Sequence, residues 1–151
     1  LVAAQHGWVG HWPLREQFLL RPLWHVAMPM FASTLGRFPS SWFGLGEDLP
    51  RGVAHDWAAW GRRREHLGTW SGHAALRLPL LVYSFSDDRL APPAAVEALV
   101  RAYPRAAVRR RHLHPRELGL DALGHWGFFR LGLVPALWAE VADFLGEGDA
   151  R

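Results

Sequence analysis

Two short stretches of the chain carry side chains that could do acid–base chemistry together. In YSFSDDRLAPP (83–93) the carboxylates of Asp87 and Asp88 follow an apolar run. In LGHWGFFR (123–130) His125 stands between Gly124 and Gly127, beside Trp126, Phe128 and Phe129. A carboxylate that accepts from the Nδ1–H of a histidine fixes the tautomer and stabilises the imidazolium formed when Nε2 takes a proton from a nucleophile. By spacing alone, His125 is equally readable as a packed core histidine. The Asp pair is equally readable as a strand-terminal turn closed by side-chain-to-backbone hydrogen bonds.

The elements around these residues decide whether they can meet. LPLLVYSFS (78–86) is a nearly continuous apolar run, the pattern of a strand buried on both faces. PPAAVEALVRAYP places Val96, Leu99, Val100 and Tyr103 on one helical face. AAVRRRHLHP (106–115) reads as a second strand ended by Pro115. VPALWAEVADFLGEG reads as a helix with Leu137, Val141, Phe144 and Leu145 on one face and Gly146 as its stop. Strand, helix, strand, loop and helix in this order predict a parallel sheet with crossover connections. Functional groups of such sheets gather at the carboxyl ends of the strands. Asp87, Asp88 and the loop of His125 would share that edge.

The first half has another character. LVAAQ (1–5) reads as a short buried strand. Residues 6–76 hold seven of the nine tryptophans and prolines at 13, 22, 29, 39 and 50, which predicts irregular helices rather than a sheet. Pro22 and Pro29 kink or split the helical pattern of LREQFLLRPLWHVAMPMFASTLG, and Pro50 starts the helix of PRGVAHDWAAWGRRREHL. SSWFGLGEDLP is a Gly-rich loop whose Gly44 and Gly46 read as a turn, not a phosphate cradle. The expected organisation is a core of residues 1–5 and 77–151 interrupted by a helical, Trp-rich layer at 6–76. Aromatic residues of such a layer are most simply core, but they could also line an apolar pocket. Trp57, Trp60, Trp126 and Phe128 are the expected lining.

Composition narrows the function classes. All seventeen basic residues are arginines, against fourteen acidic ones, for a net charge of +3. They are scattered except at Arg62–Arg64 and Arg109–Arg111, unlike the single basic face of a nucleic-acid binder. The latter run reads as a solvated strand end rather than a phosphate site. The chain has no cysteine, so any metal would need His and carboxylate ligands. His112 and His114 share a strand face but lack a third ligand, and no metal site is expected. No run approaches the roughly 20 apolar residues of a membrane span, and the start lacks a signal-peptide pattern, so a cytoplasmic location is expected.

LPLLVYSFSDDRLAPPAAVEAL resembles the acid-bearing strand and loop of α/β-hydrolases, and LGHWGFF with the helix after it resembles their histidine loop. The chain as a whole is similar to the C-terminal half of bacterial α/β-hydrolases related to the serine aminopeptidase and lysophospholipase-like enzymes. The resemblance implies an α/β fold: the C-terminal part of a mostly parallel hydrolase sheet with an inserted helical cap. It implies hydrolysis of an ester, thioester or amide through an acyl-enzyme, on a small apolar or acyl substrate and without a cofactor. Asp88, four residues before Pro92, would be the triad acid and His125 the base, with Asp87 the fallback acid.

One part of the family's pattern is absent. The nucleophile elbow G-x-S-x-G does not occur; the serines are at 33, 40, 41, 71, 84 and 86, and GTWSGH has the wrong spacing. The family's order of Ser, Asp and His places the nucleophile and the oxyanion donors in an N-terminal half before Leu1. The chain alone is therefore expected to be inactive, and its sheet, open at one edge, to self-associate. The alternative is a non-catalytic apolar-ligand or protein-interaction module derived from a hydrolase.

Overall fold

The computed structural model describes residues 1–44, 46–65 and 72–149. Leu45 of the Gly-rich loop and residues 66–71, which include Trp70 and most of GTWSGH, lie outside the described residues. The chain divides into two compact units: His6–Ser71, and Leu1–Gln5 together with Gly72–Arg151. No helix among the described residues is long and apolar enough to cross a membrane.

The unit of residues 6–71 opens with a 3-10 turn (Val9–His11) and helix α1 (Leu14–Pro22), continues through a π-helical stretch (Leu23–Ala27) and resumes as α2 (Met28–Leu35). Pro22 and Pro29 bracket the irregular stretch, and each removes an N–H that an α-helical ladder would use. The path loosens to π geometry where a full break was one expected outcome. Gly36 ends α2 at φ 72°. Strands β1 (Arg37–Phe38) and β2 (Leu49–Pro50) then pair antiparallel, a correction to the reading of this region as helices alone. Asp48 closes the loop between them, accepting from Ser41 N and Oγ and pairing with Arg37 at 2.9 Å. Helix α3 (Arg51–Arg62) follows Pro50. Ala32, Ala54 and Ala58 are fully buried beside Met28 and Phe38. Small side chains there let α2 and α3 approach closely.

In the other unit, α4 (Gly72–Ala75) leads to β3 (Pro79–Phe85), α5 (Pro93–Arg101), β4 (Ala107–Leu113) and α6 (Pro135–Asp149). Strands β3 and β4 are parallel, with Leu81 opposite Arg109 and Phe85 opposite Leu113. Leu1 to Ala3 lie along the other side of β3, bonding Tyr83 N to Leu1 O and Ala3 N to Tyr83 O; this is one bridge rather than a full strand. The pleat of β3 sends Leu81, Tyr83 and Phe85 into a core with Leu113, Leu123, Phe128, Val134 and Leu137. Val82 points oppositely, into a core with Ala91 and Val96. One face is thus covered by α6 and the other by α5, and the apolar run of β3 follows from that double burial.

The arginines of β4 obey the same alternation. Arg110 pairs with Glu97 of α5, while Arg111 reaches both carboxylate oxygens of Glu140 in α6 at 3.0 Å. The run lies mid-strand, not at a strand end. Each helix supplies a carboxylate to the arginine on its own face, where a simple apolar alternation would otherwise be required. Burial, and then the nearby Glu140 carboxylate, push the Tyr83 phenol well above its ordinary range. Gly146 does not stop α6, which runs on to Asp149; its φ is not in the left-handed region.

Leu81→Ala should destabilise this unit by about 2–5 kcal/mol in urea denaturation, because it empties a buried core position. Leu131→Ala, at a fully exposed position, should change the same midpoint little. Equal effects at the two positions would contradict the placement of β3 in the core.

Candidate active site

Strand β3 ends at Phe85, and the chain turns at once, so that Asp87 and Asp88 leave its carboxyl end in succession. Asp88 N bonds Phe85 O, which closes the turn. The Asp88 side chain is fully buried and uses both oxygens. Oδ1 accepts from Leu90 N at 2.9 Å and Ala91 N at 3.0 Å, while Oδ2 lies 2.8 Å from His125 Nδ1. A carboxylate that accepts this bond receives it from the Nδ1–H, which makes Nε2 the ring's acceptor. The His125 side chain keeps 19% of its surface exposed against 0% for Asp88. An arrangement with one ring nitrogen tied to a buried carboxylate is one that can orient the other nitrogen to take a proton.

Asp87 is placed differently. Its Oδ2 accepts from Leu123 N and Gly124 N, both at 2.8 Å, and it has no bond to His125. Neither aspartate serves only to close the strand-terminal turn: Asp88 bonds the turn's backbone and also the histidine, while Asp87 bonds backbone of the distant histidine loop.

After His125 the chain forms a 3-10 turn, Gly127–Phe129. Phe128 is buried, stacked on Trp138 of α6 with ring centroids 5.2 Å apart, and Trp138 Nε1 donates to Phe128 O at 2.9 Å. Trp138 was not singled out from the sequence; its only signal there is an indole on the helix after the histidine loop. Phe128 therefore packs in the core. Trp126 and Phe129 are 61% and 55% exposed, so Phe128 alone of the three aromatic residues anchors the loop. Trp126 meets the His125 ring edge-on at 4.7 Å. Trp57 and Trp60 lie on α3 of the other unit and are 48% and 36% exposed.

The two glycines have separate reasons. Gly124 sits at φ 63°, which favours a residue without Cβ. At Gly127 a Cβ would stand 2.5 Å from Leu123 Cδ1. The other histidines near β4 have local roles. His112 Nδ1 lies 2.9 Å from Ser84 Oγ. His114 stands beyond the end of β4 and caps the following turn, its Nδ1 accepting from Arg116 N. Among the described residues, no group of three or more His, Asp or Glu side chains could hold a metal ion.

No family model matches the chain, and no curated protein matches it in sequence. Solved structures resemble it in fold. Rv0554 of Mycobacterium tuberculosis superposes with a TM-score of 0.53 at 18% identity over 97% of this chain and 55% of that one. BpoC of Mycobacterium tuberculosis H37Rv, a candidate non-heme bromoperoxidase, gives a TM-score of 0.51 at 20% identity, over 97% of this chain and 56% of that one. The fold is thus α/β-hydrolase-like, and the chain spans just over half the length of each of these neighbours. The described sheet, two named parallel strands, is correspondingly small.

Gly124→Ala should lower stability by about 1–2 kcal/mol through backbone strain alone, since a Cβ there meets nothing within 4 Å. An unchanged urea midpoint would contradict the left-handed turn ahead of His125.

Proposed function

We propose that this chain supplies the acid and the base of a serine hydrolase, with His125 as general base and then general acid and Asp88 as the residue that orients it. The observation that carries the reading is the 2.8 Å contact between His125 Nδ1 and the buried Asp88 carboxylate at the carboxyl end of β3. The hydrolase-like fold supports it, and the neighbours' names add nothing to it about substrate. The nucleophile is a serine outside these 151 residues, because no G-x-S-x-G occurs in them. In the first step that serine Oγ attacks the carbonyl carbon of an ester, thioester or amide while His125 Nε2 takes its proton. His125 returns the proton to the leaving group, and an acyl-enzyme forms. Water then repeats the sequence with His125 again as base, releasing the acid. Backbone N–H donors for the oxyanion belong to the same external part, and the substrate is a small apolar or acyl compound.

The exposed Leu14, Phe18, Leu19 and Trp42 of the helical unit favour a second reading, a hydrolase-derived module that binds apolar ligands without chemistry. Saturable quenching of tryptophan fluorescence by a medium-chain fatty acid, unchanged in His125→Ala, would favour that reading over the first.

The direct test compares ester turnover by two polypeptides. The 151-residue chain alone should turn over p-nitrophenyl esters no faster than its own His125→Ala variant. In a longer polypeptide that also bears the serine, Asp88→Asn should lower kcat on the order of 10⁴-fold, and His125→Ala by at least about 10³-fold. Turnover by the isolated chain above its His125→Ala control would contradict the external nucleophile. Full turnover by the longer His125→Ala variant would remove His125 from the mechanism.

A further inference from the structure

We infer that Asp87 is a positioning residue for His125, holding the backbone immediately ahead of the histidine so that its ring meets Asp88. The inference rests on the reading of Asp88 and His125 as an acid–base pair. A single oxygen, Asp87 Oδ2, receives two consecutive backbone N–H groups, those of Leu123 and Gly124, both at 2.8 Å. Consecutive N–H groups converge on one anion where the main chain passes between right- and left-handed conformations, forming a small concavity of positive charge. Gly124, at φ 63°, supplies the left-handed residue. Both bonds go to a carboxylate oxygen, an acceptor of the stronger class.

The loop has few other ways to hold this shape. Leu123 and Gly124 belong to neither helix nor strand, so no backbone ladder takes up their N–H groups. The Leu123 side chain is buried in the core below, and downstream the chain is fixed by Phe128 and Trp138. His125 lies between these two anchorages, and only the upstream one depends on a carboxylate. Adjacent aspartates thus divide the work: Asp88 binds the ring and Asp87 binds the backbone that presents it. Asp87 acts through the loop, since Oδ2 is committed to the two N–H groups and Oδ1 is buried without a partner among the described residues.

Nuclear magnetic resonance on the whole chain tests this without any need for activity. In the unsubstituted chain the Leu123 and Gly124 amides should exchange with solvent at least about tenfold more slowly than in an unstructured peptide. His125 should show a single tautomer with the proton on Nδ1. Asp87→Ala should abolish protection at those two amides and mix the His125 tautomers, while the amides of β3 stay protected. Asp87→Asn should restore both signals, because its amide oxygen accepts the same two N–H groups. Asp88→Asn should disturb the tautomer and leave the Leu123 and Gly124 amides protected.

An Asp87→Ala chain with an unaltered His125 tautomer would overturn the inference. Unprotected Leu123 and Gly124 amides in the unsubstituted chain would overturn it with no variant needed, as would an Asp87→Asn chain with protected amides but mixed tautomers. An unaltered tautomer in Asp88→Asn would instead refute the acid–base pair itself.

Discussion

Strand β3 is covered on both faces, and that burial fixes the place at which two successive carboxylates leave the sheet. Alternate residues of the strand are locked into different cores, Tyr83 and Phe85 against the α6 side and Val82 against the α5 side. Slipping the register by one residue would turn each set onto the wrong face. The turn closed by Asp88 N on Phe85 O therefore starts from a defined point. Everything at the site, including the direction of each aspartate, is measured from it.

A buried carboxylate costs several kcal/mol unless its oxygens are paired. Asp88 has its partners: two backbone N–H groups of its own turn and the imidazole Nδ1. The two local bonds orient the carboxylate independently of the bond to the histidine. The histidine loop is itself held at both ends by hydrogen bonds, upstream to Asp87, far off in sequence, and downstream to Trp138 on the helix that follows.

What the sequence made legible follows from how local the cause was. β3 was readable because burial on two faces leaves a continuous apolar run, and the approach of the Asp87–Asp88 pair to His125 because a strand end and a loop after the next strand meet at one sheet edge; only the resemblance to α/β-hydrolases pointed to Asp88 rather than Asp87. The arginines of β4 were misplaced as a strand end, because their acidic partners, Glu97 and Glu140, sit on helices whose position the run does not reveal. Gly146 misled because a glycine in the last turns of a helix costs only about 1 kcal/mol and ends it only if it turns left-handed. Phe128 was indistinguishable by type from Trp126 and Phe129; which of the three faces the core depends on the 3-10 turn and on Trp138. The role of Asp87 depended on where two backbone N–H groups arrive, and no residue type encodes that.

The central claim is that Asp88 leaves His125 Nε2 as an open proton acceptor, and carbethoxylation with diethyl pyrocarbonate, mapped by mass spectrometry, tests it most directly. The reagent attacks an unprotonated imidazole nitrogen that solvent can reach. The account predicts that His125 is modified in the unsubstituted chain and that Asp88→Asn slows its modification severalfold, with the exposed His25 and His114 as internal references. A His125 that resists the reagent while those two react, or that reacts equally fast in Asp88→Asn, would contradict it.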